Sequence, residues 1–595
     1  MLPGWINKRY EILWQSFKSS PFRLKEAANK LNEGIDNIKD AKDEVNVILS
    51  ELRKEGMLKV EFDPNDARKR IYKLKSKEDI ISDTLSFDKK KLTRSELERI
   101  LKSAADLIRT RVDYTFILVL LFYKRISDKW EMEFQAAYDE AIADGLSEKE
   151  AEKESRNSIY HDFNIPEDFL WDRLRKKDPA RVPENFSAAM KIIAEKNPDI
   201  KSVFENIDFI QFTTSRENAE VLRQLIELFS EKSLHNVSPD ILGDAYEWIL
   251  KYFAPQKAKE GEVYTAREVI KLIIVMLDPR PGESVYDPAC GSGGMLISSY
   301  KHISDAFDKD SANKLFLFGQ EANHKTLALA KMNLNIHDIR NANIVYGDTL
   351  RSPKFTEESG EVKKFDVVIA NPPWNQDGYD EEVLRKGEFW SERFKYGFPP
   401  RQSADWAWIE HMLASTKDES GRVGVVIDNG CLFRGGKEKA IRSKIVEKDL
   451  IETIILLPEK LFYNTGAPGA IIVLNRNKPD FKKGNIQFIN ASKEYENHPE
   501  VRKLNRLGDK NINKIMDAYK SDREIKGFSQ IIEKEKIKEN DYNLNVTLYV
   551  YPEEEIEEID VIKEWRDLQK IGRELAVIED KIEDYLEELK GTNNV

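Results

Sequence analysis

The chain has 595 residues, about four times a ~150-residue domain, so several domains are expected. Hydrophobic residues make up 41% and charged residues 34%, enough for real cores under a large solvated helical surface. Lys plus Arg is 94 and Asp plus Glu is 106, and the resulting net charge of -12 opposes a role on DNA, whose affinity comes from cations neutralising phosphates.

Two cysteines, Cys290 and Cys431, exclude a disulfide framework and a Cys-based zinc site. None of the seven histidines stands in an H-x-x-x-H pair, so no metal is expected. The longest apolar run, Phe116 to Tyr123, is eight residues, short of the ~20 a membrane helix needs. The N-terminus carries no signal-peptide core. The expectation is a soluble cytoplasmic protein with no membrane partner.

Residues 1–76 read as a small unit of three helices and a hairpin. The helices are Tyr10 to Phe17, Arg23 to Leu31 and Val45 to Glu55, the last stopped by Gly56. The hairpin runs from Met57 to Phe62, through the turn Asp63-Pro64-Asn65-Asp66, to Arg68 to Leu74. The pattern resembles a winged helix, with Arg68, Lys69 and Arg70 on the wing. DNA contact and protein docking both remain open for it. Residues 77–92 read as a linker. Residues 93–254 read as a helical domain: Thr93-Arg94-Ser95-Glu96 is a capping box, Phe116 to Tyr123 a buried helix, and Ser238-Pro239-Asp240 another start.

Strand and helix signals alternate over residues 255–485. Strands are expected at Ser284 to Tyr286, Leu315 to Gly319, Asn343 to Tyr346, Phe365 to Ala370, Val423 to Ile427, Ile451 to Leu457 and Ala470 to Leu474. Near-continuous apolar strands between helices imply an α/β domain with a mostly parallel sheet covered on both faces. Residues 486–595 read as a helical tail. Within it Leu568, Ile571, Leu575, Ile578, Ile582, Tyr585 and Leu589 recur at coiled-coil spacing, a docking seam for a partner or an internal hairpin.

Four sites follow the strands. Asp287-Pro288-Ala289-Cys290-Gly291-Ser292-Gly293-Gly294 lets the backbone turn sharply before a helix, and it is no triphosphate-binding loop. Glu321 ends the Leu315 strand, where an acid in a doubly wound fold binds ribose hydroxyls. Asp348 follows the Ile344 strand. Asn371-Pro372-Pro373-Trp374 closes the Phe365 strand: the prolines stiffen the backbone, Asn371 offers an acceptor, and Trp374 a stacking face. Acceptors beside a stacking ring suit a planar ring with an exocyclic amine, a flipped nucleobase.

These segments resemble motifs I and IV of S-adenosylmethionine-dependent N6-adenine DNA methyltransferases. Over residues 93–595 the chain is similar to the modification subunit of type I restriction–modification systems. Phe122-Tyr123-Lys124-Arg125-Ile126-Ser127-Asp128, Leu242 to Glu247, Gly261 to Glu268, Leu457-Pro458, Leu461 to Gly466 and Tyr542-Asn543-Leu544-Asn545 extend the match. The family has Phe-Thr-Pro where this chain has Tyr264-Thr265-Ala266, and the winged-helix-like N-terminus is not a standard family part.

The resemblance implies a Rossmann-like methyltransferase domain in a prokaryotic cytoplasm. S-adenosylmethionine would be held at its methionine end by Asp287, Ala289 and the Gly291, Ser292, Gly293 and Gly294 backbone. Glu321 would bind its ribose and Asp348 its adenine, with Tyr264 and Thr265 closing the pocket. Asn371 and the Pro372 carbonyl would accept the target N6 amine, with Pro373 fixing the turn and Trp374 stacking on the base. The implied partners are double-stranded DNA, a specificity subunit docked on the C-terminal helices and helical domain, and a second copy of the chain in an assembly of two modification subunits per specificity subunit. Translocation and cleavage would belong to a restriction subunit. A stand-alone adenine methyltransferase using its own winged helix, a glutamine methyltransferase and a non-enzymatic winged-helix regulator are the alternatives. Residues 553–590 hold 15 acidic and 6 basic side chains, so the acidity sits in the tail and the remainder is near neutral.

Overall fold

The computed structural model describes residues 4–34 (bar 19), 45–74 in part, 93–258 apart from gaps within 109–112, 178–180, 206–215 and 235–238, 265–551 apart from 359, 463–464, 499–500 and 502, and 561–592. Gly56, the turn residues 64–65, the linker 77–92, Tyr264, Tyr463 and Asn464 lie outside them, as do the wing side chains Arg68, Lys69 and Arg70. The chain forms two compact units: Met1–Ala104 with Tyr123–Asp162 and Arg223–Ile241, and Ala105–Phe122 with Phe163–Leu222 and Leu242–Val595.

In the first unit, helices Gly4–Phe17 and Leu24–Gly34 precede the antiparallel strands β1 (Leu58–Asp63) and β2 (Asp66–Leu74). Tyr10, Leu13, Ala27, Leu31, Ile48, Leu52, Leu58 and Leu74 close one small core. The capping box forms as expected: the Thr93 N–H donates to Glu96 at 2.9 Å and the Glu96 N–H to Thr93 Oγ1 at 3.3 Å. Lys124 and Asp128 form a buried ion pair, and Asp128 also accepts the Leu234 N–H at 2.6 Å. Each charge is therefore matched, as burial demands.

The second unit is built on nine strands: β3 (Ser284–Asp287), β4 (Phe316–Glu321), β5 (Ala342–Tyr346), β6 (Val367–Ala370), β7 (Arg422–Asp428), β8 (Ile451–Leu456), β9 (Gly469–Asn475), β10 (Asn485–Asn490) and β11 (Ser529–Glu533). Their order across the sheet is β11-β10-β8-β9-β7-β6-β3-β4-β5. Every pairing from β7 through β5 is parallel, as is β8 with β10. Strand β9 is antiparallel to both neighbours, and β11 to β10. The parallel expectation thus fails at β9: the connection from β8 over residues 457–468 shows no helix among the described residues, and neighbouring strands joined without a crossover helix usually pair antiparallel.

Val285 faces the core under helices Arg267–Leu277, Gly294–Ala306 and His324–Ile336, while its neighbour Tyr286 faces the core under Asp405–Ala414 and Gly436–Glu447. Both sheet faces are covered, which is why β6 and β8 are buried along their whole length. Residues 486–595 are not the uniformly helical tail expected: strands β10 (Asn485–Asn490) and β11 (Ser529–Glu533) extend the sheet before the 32-residue helix Val561–Thr592 begins. Edge β11 buries little of its length, so it lacks the apolar run that marks a central strand.

Helix Pro239–Ala258 is tied to the sheet from Leu242 onward. The Tyr246 hydroxyl donates to the Leu329 carbonyl at 3.0 Å, and a Cβ on Gly243 would lie 1.9 Å from the His337 ring. Only glycine lets the two helices meet this closely.

Candidate active site

The strand order reverses between β3 and β6, which leaves a crevice at the carboxyl ends of the strands. Asp287 ends β3, and the chain then turns through Gly291 (φ 52°) and Gly293 (φ 80°), conformations that favour glycine, into helix Gly294–Ala306. Asp287 is buried and accepts the Ala289 N–H at 3.1 Å. Burial, with the nearby Glu321 charge adding to it, pushes the Asp287 carboxyl up to about 8. Glu321 ends β4 and accepts the Gly291 N–H at 3.0 Å with one oxygen and the Asn323 N–H at 2.8 Å with the other. Two acids thus stand on adjacent strand ends, one of them forced toward neutrality.

Asp348 follows β5 and accepts the Tyr379 hydroxyl at 3.0 Å. Asn371 follows β6. Its Nδ2 donates to Thr265 Oγ1 at 2.7 Å and its Oδ1 accepts the Trp374 indole N–H at 2.9 Å. Thr265, Asp287, Ala289, Gly291, Ser292, Gly294 and Asn371 therefore line one cleft. Gly293 turns the loop, while Glu321 and Asp348 stand on the neighbouring strand ends.

Trp374 does not stand free. Its ring meets Phe462 edge-on at 4.8 Å, and a Cβ on Gly469 would lie 2.8 Å from it. Pro372 is buried and Pro373 exposed. The next residue, Asn375, takes φ 52°, and its N–H is held by the fully buried Asp405 at 2.8 Å. Arg434 pairs with Asp405 at 3.1 Å and also with Asp428 and Glu438. Cys290 and Cys431 are buried free thiols, and burial raises both well above their ordinary value, so neither is a ready nucleophile.

The sequence matches the N-6 DNA Methylase family over residues 237–558 and the HsdM N-terminal domain over residues 97–229. The chain belongs to the methylase subunits of type I restriction enzymes. Two relatives from Methanocaldococcus jannaschii, the MjaVII and MjaVIII type I restriction enzyme methylase subunits, are each 43% identical over 98% of both chains. The crystal structure of the type I restriction-modification system methyltransferase subunit from Streptococcus thermophilus is 28% identical, with TM-score 0.66, covering 78% of this chain and all of that one. This methylase subunit is accordingly an adenine-specific DNA methyltransferase.

Four residues in or behind the methylase cleft were given no role by the sequence, although Glu247 and Arg267 lie in the quoted segments. Glu247 and Arg267 line it as an ion pair. Asn333 lines it too and donates to the Ser292 carbonyl at 3.0 Å. Asp405 sits 30 positions beyond the loop it holds. Arg267 lies in the quoted Gly261 to Glu268 segment, but a single Arg beside a helix start has many uses. Among the described residues there is no cluster able to hold a metal ion and no helix long and apolar enough to cross a membrane.

Proposed function

We propose that this methylase subunit transfers a methyl group from S-adenosylmethionine to N6 of an adenine flipped out of double-stranded DNA. The observation that carries this reading is the meeting of Asp287 and Asn371 on one cleft: acids for a cationic cofactor against an amide for an amine. The donor set fits the cofactor, because the buried Asp287 carboxyl stands against the Glu321 charge and a sulfonium or an ammonium would offset that repulsion. When bound, the cofactor supplies a methyl group activated on sulfur.

The residues divide the remaining work. Asp287, with Ala289 and the Gly291 to Gly294 backbone, holds the methionine end, Glu321 the ribose and Asp348 the adenine, with Thr265 and Tyr264 on the closing side. Asn371 Oδ1 and the Pro372 carbonyl accept hydrogen bonds from the target N6 amine. Those bonds draw the nitrogen toward tetrahedral geometry and direct its lone pair at the methyl carbon. Pro373 stiffens the turn. In the free protein the Trp374 N–H occupies Asn371 Oδ1, so the incoming amine shares or replaces that bond as the indole takes up the base. Stacking there offsets unstacking by ~1–3 kcal/mol.

Sequence choice belongs to a specificity subunit. Helix Val561–Thr592 leaves Leu568, Ile571, Leu575, Ile578 and Ile582 more than half exposed in one seam, which suits a partner helix. The assembly has two copies of this chain per specificity subunit, and a restriction subunit supplies cleavage. Tritiated methyl transfer to unmethylated DNA by the chain with its specificity subunit, followed by sequencing of modified adenines, tests the reaction; methyl on cytosine or on protein sinks it. Leu575→Asp with Ile578→Asp should abolish co-purification with that subunit and leave affinity for S-adenosylhomocysteine unchanged.

A further inference from the structure

The chain between Trp374 and Asp405 folds back over the Asp348 loop. The buried Arg393 donates to the Thr349 carbonyl at 3.0 Å, the Leu350 carbonyl at 2.8 Å and the Glu388 carbonyl at 2.7 Å. The Glu388 N–H donates to the Arg351 carbonyl at 2.8 Å, and the Ser352 hydroxyl to the Glu388 carboxylate at 3.0 Å. A Cβ on Gly387 would lie 2.8 Å from the Arg351 carbonyl, so the two segments are in direct contact. These bonds fix the backbone that carries Asp348, but not its carboxylate.

The carboxylate has its own partners. Oδ2 accepts the Tyr379 hydroxyl at 3.0 Å and faces Arg351 Nε at 3.4 Å, while Oδ1 meets only the Arg351 N–H at 3.3 Å. The Arg351 guanidinium in turn lies over the Tyr379 ring, 5.4 Å from its centre. Arg351 is more than half exposed, so water screens its pairing, and the half-buried phenol is the stronger support. With Oδ2 so engaged, Oδ1 is the oxygen left to face a ligand.

We infer that Tyr379 is a positioning residue that aims Asp348 at the exocyclic amine of the cofactor's adenine, and so sets the preference for an adenosyl over an inosyl group; the inference rests on the cofactor reading above. The chemistry is one of donors and acceptors. An ionised carboxylate accepts from the adenine amine and repels the carbonyl oxygen that hypoxanthine carries at the same position. A carboxylate free to swing toward Arg351 loses that contrast. Burial and the Asp348 charge push the Tyr379 hydroxyl up to about 12, so it stays a donor across the working range of pH. Tyr379 also lies five residues beyond Trp374, so one segment serves both the cofactor's ring and the target-base turn.

The test is calorimetric titration of the full chain with S-adenosylhomocysteine and with S-inosylhomocysteine. The unaltered chain should prefer the adenosyl ligand. Tyr379→Phe should weaken that ligand about tenfold, the scale of one hydrogen bond to a charged group, and leave the inosyl ligand nearly unchanged. Asp348→Asn should remove the preference, and Tyr379→Phe added to it should change nothing further. An unchanged preference in Tyr379→Phe overturns the inference, as does equal weakening of both ligands or a further loss in the double variant. A wild-type chain that binds the adenosyl ligand without preferring it removes Asp348 as the reader and the inference with it. A wild-type chain that binds neither ligand overturns the cofactor reading itself.

Discussion

The two ends of the cleft are built by different means. At the cofactor end the acids are held by backbone N–H groups: Asp287 by the one two residues on, Glu321 by those of Asn323 and of Gly291 in the glycine loop. At the target end the parts come from far along the chain. Asn371 is held by Thr265, Asn375 by Asp405, and Trp374 by Phe462 and the space at Gly469. The acids Asp287 and Glu321 rest on main-chain donors, whereas the target end rests on side chains packed from other segments. Damage at one should therefore appear in cofactor affinity and damage at the other in turnover.

The largest effect is expected at Asn371. Asn371→Ala removes the acceptor proposed for the target amine and should lower single-turnover methyl transfer by about 10²–10³, the scale of one preorganised polar group. Affinity for S-adenosylhomocysteine should hold within about twofold by titration. A matching loss of that affinity would join the two ends and break the division. Next come the supports of the turn. Gly469→Ala drives a methyl into Trp374 and Phe462 at 2.8 and 2.9 Å, an overpacking of about 1–3 kcal/mol. It should lower the melting temperature and the turnover together, again with cofactor affinity kept. Asp405→Asn keeps an acceptor for the Asn375 N–H but loses the charge that faces Arg434; turnover should fall less than in Asp405→Ala, and equal losses would make the residue a mere filler.

What the sequence made legible follows locality and cuts across both ends of the cleft. The glycine loop, the three strand-end acids and the Asn-Pro-Pro-Trp turn were readable because each is a local pattern: strand, turn, charged residue. The same holds for the capping box at Thr93 and the exposed seam of the last helix. Asp405, Gly469, Tyr379 and Asn333 were not readable, because their roles exist only when segments 30 to 100 positions apart meet. The strand β9 was readable as a strand but not in direction, since hydrophobicity carries no sign. Strands β10 and β11 hid in a charged region whose helices dominate its composition. The stacking face of Trp374 looked free from sequence alone, and its packing against Phe462 is a contact no single segment encodes.

The smallest effect tests the cofactor end by pH. In the free chain burial holds the Asp287 carboxyl protonated up to about 8, against an ordinary value of 3.8. A cationic ligand favours the ionised form, so binding at pH 7 should expel a proton, and affinity should rise with pH by up to about tenfold per unit before levelling above about 8. The sign for stability is opposite. The unfolded carboxyl ionises near 3.8 while the folded one keeps its proton, so the contribution present below pH 3.8 is lost progressively as pH rises toward 8. Asp287→Asn should abolish the proton release, measured by titration in buffers of different ionisation enthalpy, and flatten both slopes. Slopes that persist in that variant assign them to another group, and the cofactor end loses the buried Asp287 carboxyl as its physical basis while the target end stands as described.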